Sequence, residues 1–136
     1  MLNEFSRTEL LLGQDGMKKL KSSSVAIFGV GGVGSYIAEA LARSGVGKLI
    51  LIDNDEVTIT NLNRQLIALH STIGRKKVDV AKDRLLDINP QATVEALDCF
   101  YTGSEIDLSG FDYIADAIDT VSSKLTLIEN ANKQNV

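Results

Sequence analysis

The segment Gly29-Val30-Gly31-Gly32-Val33-Gly34-Ser35 carries a G-x-G-x-x-G pattern through Gly29, Gly31 and Gly34. In such a turn the first glycine permits a tight bend, the second lets a phosphate come up against the backbone, and the third lets a helix pack close to a strand. A helix starting there offers its unpaired N–H groups to an anion. Asp53, nineteen residues beyond Gly34, is spaced to accept hydrogen bonds from both hydroxyls of a ribose. These features describe a nucleotide site; a packing turn and a solvated strand-end aspartate are the plainer alternative.

Two further groups have no use in a dinucleotide dehydrogenase. Asn61-Leu62-Asn63-Arg64-Gln65 and Arg75-Lys76-Lys77 supply amides and cations. A guanidinium bridges phosphoryl oxygens bidentately and an ammonium is a compact charge, so both suit a triphosphate. The bland reading of Arg75 to Lys77 is a solvated helix start, and only the resemblance described below lifts Lys77 above it. Asp116-Ala117-Ile118-Asp119 closes a predicted strand, where a carboxylate can hold Mg²⁺ against a triphosphate. Asp119, past the strand end, is the better candidate, and Asp116 reads as partly buried and hydrogen-bonded. His70, the only histidine, has no partner at triad spacing and reads as a loop surface residue. Cys99 reads as a small, partly buried side chain.

The elements that must position these residues follow from hydrophobic periodicity. Val25 to Phe28, Leu49 to Ile52, Thr93 to Leu97 and Tyr113 to Ala117 are short apolar runs, read as strands. Between and after them Val33, Ile37 and Leu41, then Val78, Ala81, Leu85 and Ile88, then Val121, Leu125 and Ile128 recur at helical spacing. Alternating β and α units predict an α/β, Rossmann-like, doubly wound and mostly parallel sheet with helices on both faces, its first and fourth strands adjacent. Residues 60–74 read as a polar loop with a short helical turn, over the end of the sheet. Thr8 to Lys21 reads as a helical arm, with Leu10, Leu11 and Leu12 making apolar contacts and Gly13 and Gly16 weakening it.

With 136 residues, 44% apolar and 24% charged, the chain is long enough for one domain with a core. Fourteen basic and eighteen acidic side chains give a net charge of −4, so there is no general basic field for nucleic acid or anionic membrane. A polyanion must be held locally. One cysteine rules out an internal disulfide and a paired-cysteine zinc site within these residues, making a reducing cytoplasm the expected setting. No run approaches the ~18 apolar residues of a membrane span.

Taken together, Arg7, the GVGGVGS loop, LIDNDEV from Leu51 to Val57, TNLNRQ from Thr60 to Gln65, Lys77, INP from Ile88 to Pro90 and DAID from Asp116 to Asp119 resemble the ubiquitin-activating-type adenylating enzymes. Bacterial members of that family activate the carboxyl ends of sulfur-carrier proteins. Within it the chain looks most like the tRNA threonylcarbamoyladenosine dehydratases, through NLNRQLIAL and DAIDTVSSK. The resemblance implies an ATP site in which Gly29, Gly31, Gly32 and Gly34 meet the phosphates and Asp53 the ribose. It further implies that Asn61, Arg64, Gln65 and Lys77 contact the triphosphate and its transition state, and that Asp119 coordinates Mg²⁺. Arg7 resembles the arginine that reaches into a neighbouring subunit's site, which implies a homodimer.

The reaction so implied is adenylation of a carboxylate with loss of pyrophosphate. In the dehydratases that carboxylate belongs to the threonylcarbamoyl group on adenosine 37 of tRNA, and ring closure then expels AMP. The alternative substrate is the terminal glycine of a ubiquitin-like sulfur-carrier protein. The family continues beyond residue 136, so the chain reads as an amino-terminal portion: an arm at 1–24 and a nucleotide-binding domain at 25–136, with an unpaired sheet edge after the fourth strand. A tRNA partner would need basic contacts concentrated near Arg75, Lys76 and Lys77 or beyond residue 136. An NAD-binding oxidoreductase domain would share the glycine loop and Asp53, but leaves NLNRQ, Lys77 and Asp119 without a purpose. A non-catalytic scaffold would be expected to have lost Arg64, Lys77 or Asp119.

Overall fold

The four apolar runs become strands β1 (Ser24–Phe28), β2 (Lys48–Asp53), β3 (Thr93–Asp98) and β4 (Tyr113–Asp116) in the computed structural model, which describes all of residues 1–136. They form one sheet in the order β3-β2-β1-β4, and every pairing is parallel. Helix α1 (Ser6–Ser22) precedes the sheet, and α2 (Gly34–Ser44), α3 (Lys77–Ile88) and α4 (Val121–Lys133) cross over between or after the strands.

Alternation along each strand sends side chains to opposite faces. Val25, Ile27, Leu49, Leu51 and Val94 meet Ala38 and Ala42 of α2 and Val78, Ala81 and Leu85 of α3. Ala26, Phe28, Ile50 and Ile52 meet Leu127 of α4 with Tyr101 and Leu108 of the segment joining β3 to β4. A fully buried aliphatic or aromatic side chain contributes about 1.5–3 kcal/mol. The central strands β1 and β2, where Ile27, Phe28, Leu49 and Leu51 are fully buried, are therefore the rigid base from which the strand ends project. At the edge, β4 pairs only with β1, and α4 exposes Val121, Leu125 and Ile128.

Helices α2 and α3 are also joined by charge. Glu39 accepts from Arg43 at 2.9 and 2.8 Å and from Arg84 at 2.9 and 3.1 Å. Hydrogen bonding from Arg84, then from Arg43, outweighs burial and holds the Glu39 carboxyl below its ordinary value. A depressed carboxylate stabilises the fold above the unfolded-state pKa and loses that contribution as pH falls through the folded-state value. Glu39→Gln is therefore expected to lower the thermal midpoint at neutral pH and to lose less stability than wild type on acidification. Parallel melting curves from neutral to acid pH would refute it.

The arm departs from expectation. Gly13 adopts φ 71 and ψ 171, which breaks α1 into two pieces. The first piece leaves Leu10 86% and Leu11 87% exposed, with Leu12 exposed too, so the leucines make no core contact. The second piece holds the domain instead: Leu20 packs against the core, and its carbonyl accepts from Gly47 N–H at 3.1 Å.

Candidate nucleotide site

A cleft of ≈460 Å³ opens at the carboxyl ends of β1, β2 and β4. The strand order reverses between β1 and β4, the topological position where open α/β sheets bind ligands. Its floor is the glycine turn. Gly29 has φ 93, and a side chain there would strike the Ala117 carbonyl, so the turn after β4 lies directly on it. Gly29 N–H donates to Ile52 O, and Ala117 N–H to Phe28 O, both at 2.8 Å. Helix α2 then begins at Gly34, with Ser35 N–H donating back to Gly31 O at 3.1 Å.

Asp53 ends β2 beside this turn. Its Oδ2 accepts from Val30 N–H at 2.8 Å and its Oδ1 from Asp55 N–H at 2.8 Å. The carboxylate thus staples the glycine loop to the second strand, and each oxygen retains acceptor capacity for a hydroxyl. The loop that follows folds over the cleft through single helical turns at Ile59–Asn61 and His70–Thr72. Thr58 N–H bonds to Asn61 Oδ1 at 2.9 Å, which fixes the first turn so that Arg64 and Gln65 face the glycines.

Arg64 lies over Gly32. Its Nη1 donates to Thr60 O at 3.1 Å and Asn63 Oδ1 at 3.0 Å, so most of its five N–H donors stay free. Gln65 is 7% exposed, its amide packs against Gly31, and its Oε1 has no hydrogen-bond partner. An orphaned amide oxygen in a polar recess costs free energy until a donor reaches it. Lys77 opens α3 with only 6% exposure, and its Nζ stands 3.7 Å from Asp55 Oδ2. Across the cleft, Asp119 is exposed beyond β4.

The structure therefore gathers Gly29, Gly31, Gly32, Asp53, Arg64, Gln65, Lys77 and Asp119 around one cleft. Others of the residues read from sequence stand elsewhere. Asn61 is buried beneath the loop with its carboxamide oxygen engaged by Thr58; it shapes the wall without lining it. Gly34 is a packing position, because a side chain there would fall on the Gly29 carbonyl. Arg7 is exposed on the arm and does not line this chain's cleft. Arg75 pairs with Asp83 at 2.7 Å and Lys76 with Asp98 at 2.6 Å, so of the basic run only Lys77 turns to the cleft.

Sequence reasoning missed the apolar end, formed by Phe28, Ile52, Cys99, Phe100, Tyr101 and Ile118. Tyr101 is held edge-on to Phe28, with ring centroids 4.9 Å apart, and its hydroxyl accepts from Asn130 Nδ2 at 3.0 Å. Burial, then the charges of Glu105 and Asp98, pushes the Cys99 thiol above its ordinary value, so it is a neutral wall residue and not a thiolate. The Cys-Phe-Tyr order is the only signal that could have marked this wall. No group of three His, Cys, Asp or Glu side chains converges to hold a metal ion unaided. Asp119 can still share one with a ligand: Mg²⁺ is commonly held by one or two carboxylates plus phosphate oxygens, not by an all-protein cage.

Fold and cleft together define a Rossmann-like domain whose polar site sits at the strand-order reversal. Residues 5–136 match the ThiF family, and the chain belongs to that family. It is 52% identical over 139 residues to a tRNA threonylcarbamoyladenosine dehydratase of Bacillus subtilis (strain 168), covering 100% of this chain and 55% of that protein. To the protein of the same name from Escherichia coli (strain K12) it is 38% identical over 135 residues, 97% of this chain and 50% of that one. The crystal structure of the E. coli tRNA N6-threonylcarbamoyladenosine dehydratase in complex with ATP superposes with a TM-score of 0.94 at 38% identity, over 98% of this chain and 56% of that one. The chain thus spans about half the length of these relatives. No helix is long and apolar enough to cross a membrane.

Proposed function

We propose that the protein uses ATP to adenylate a carboxylate, and that the carboxylate is the threonylcarbamoyl group of tRNA adenosine 37. The observation that carries this reading is the pairing of a glycine floor with Arg64, Gln65 and the buried Lys77 on one side and Asp119 on the other. The relatives' names and the E. coli protein's complex with ATP support the substrate.

In this reading the backbone at Gly31 and Gly32 lies along the phosphates, Asp53 accepts the ribose hydroxyls, and the apolar end receives the base. Arg64 and Lys77 place fixed positive charge where negative charge accumulates as the carboxylate oxygen attacks the α-phosphorus and pyrophosphate leaves. The bond formed is carboxyl oxygen to phosphorus and the bond broken is that to pyrophosphate. Attack of an internal nucleophile on the acyl carbon then closes a ring and expels AMP. Asp119 would hold Mg²⁺, which when bound would neutralise charge on the triphosphate. Arg7 would serve a second protomer's cleft in a homodimer.

Two measurements test the reading. ATP is expected to raise the thermal midpoint and NAD is not, because only a ligand that binds the folded state stabilises it; protection by NAD alone would return the cleft to the oxidoreductase class. AMP release from ATP is expected with threonylcarbamoyl-modified tRNA. Similarity to an adenylyltransferase and sulfurtransferase of Culex quinquefasciatus, 39% over 127 residues, 90% of this chain and 29% of that protein, makes a carrier protein ending in Gly-Gly the comparison substrate. AMP release with the carrier alone would replace the tRNA reading and keep the adenylation.

A further inference from the structure

We propose that Lys124 is a positioning residue of this cleft, acting through Asp116 to fix the turn that presents Asp119. The turn is fastened at three points. Asp116 Oδ1 accepts from Ile118 N–H at 3.1 Å, Ala117 N–H donates to Phe28 O at 2.8 Å, and the Ala117 carbonyl rests against Gly29. Asp116 itself is held from outside: Lys124 Nζ stands 2.9 Å from its Oδ2. The chain Lys124, Asp116, Ile118 N–H thus ends one residue short of Asp119.

The placement of Lys124 calls for such a partner. It lies in the first turns of α4, its N–H bonded to Thr120 O, and the first turn carries no acidic residue. A cation near a helix N-terminus is repelled by the helix dipole, so a lysine here gains nothing from its own helix. What it does gain is an ion pair with Asp116 at the strand end under the cleft. Its charge also balances Asp116, leaving Asp119, which makes no ion pair, as the carboxylate at the cleft mouth available to a cation.

This role rests on the reading of the cleft as an ATP and Mg²⁺ site, and it is separable from that reading by binding measurements on the full chain. Wild type is expected to bind AMP without metal and to bind ATP more tightly when Mg²⁺ is added. In Lys124→Met the gain from Mg²⁺ is expected to fall by about 10- to 100-fold, the range seen when residues that orient metal ligands are removed, with AMP affinity unchanged. Lys124→Arg should restore most of the gain. Asp116→Asn should match Lys124→Met, and the double variant should be no worse than either single one, since both remove the same link. An undiminished Mg²⁺ gain in Lys124→Met overturns the proposal. Equal weakening of AMP and ATP overturns it as well, by showing a general structural role. A wild-type chain that binds neither nucleotide overturns the ATP reading, and this role with it.

Discussion

Lys77→Met is expected to lower adenylation by about a hundred- to a thousandfold, the loss typical of one preorganised electrostatic group, while leaving the thermal midpoint equal or higher. Both halves follow from one geometry. The Lys77 side chain is 7% exposed, and its nearest carboxylate, Asp55 Oδ2, lies 3.7 Å away with 67% of its side chain in solvent. A buried ammonium with so loose and wet a partner recovers little of its desolvation cost, so an apolar side chain of similar length fits the folded state at least as well. Asp55, already solvated, is not stranded by the loss. The fold therefore does not require the charge, and a charge the fold does not require is retained for a ligand. Pyrophosphate exchange and melting curves on the same variant check both halves. Normal exchange would remove Lys77 from the site, and a large loss of stability would make it structural. Arg64→Ala should reproduce the catalytic loss, since its guanidinium hydrogen-bonds only within its own loop.

The sheet was legible in the sequence because each strand is a short apolar run ended by glycine or acid, and because both faces of β1 and β2 are buried. The glycine turn and Asp53 were legible for a related reason: their spacing is local, and a local backbone problem has few solutions. The arm was misread at Leu10 to Leu12. Apolar type predicted contact, but the turn at Gly13 decides direction and leaves them in solvent. The basic run was harder still. Arg75, Lys76 and Lys77 are chemically alike in sequence, and what separates them is Asp83, Asp98 and the cleft, partners set by tertiary structure. Pairing of Arg75 and Lys76 also leaves that run without the concentrated free charge that a tRNA contact would use. The Cys-Phe-Tyr order did not by itself place the Cys99 to Tyr101 wall in the cleft, because that placement depends on Phe28, far away in sequence.

Gly34→Ala and Gly31→Ala are expected to fail in different ways, although both alter the same motif. At Gly34 the new methyl group would land on the carbonyl oxygen of Gly29 and press on Ala117. Neither atom has freedom to retreat, since Gly29 N–H is bonded to Ile52 O and Ala117 N–H to Phe28 O. Relief requires moving the start of α2 away from β1, which opens the core beneath Ala38 and Val30. Overpacking of this kind against backbone should cost at least about 3 kcal/mol, so Gly34→Ala is expected to melt far below wild type or to aggregate. At Gly31 the methyl group would meet only the Gln65 amide, at 3.6 Å, an ordinary contact, and the fold should survive. What it would occupy is the space through which a phosphate approaches the backbone. Displacing the phosphate by the thickness of a methyl group misaligns every downstream contact, and misplacement of about an ångström can cost about a hundredfold in rate. Gly31→Ala is therefore expected to keep a wild-type melting curve and to lose ATP-dependent stabilisation and exchange. If it binds ATP as wild type does, the phosphates do not pass over Gly31, and the floor of the site must be sought at Gly32 and the N-terminus of α2.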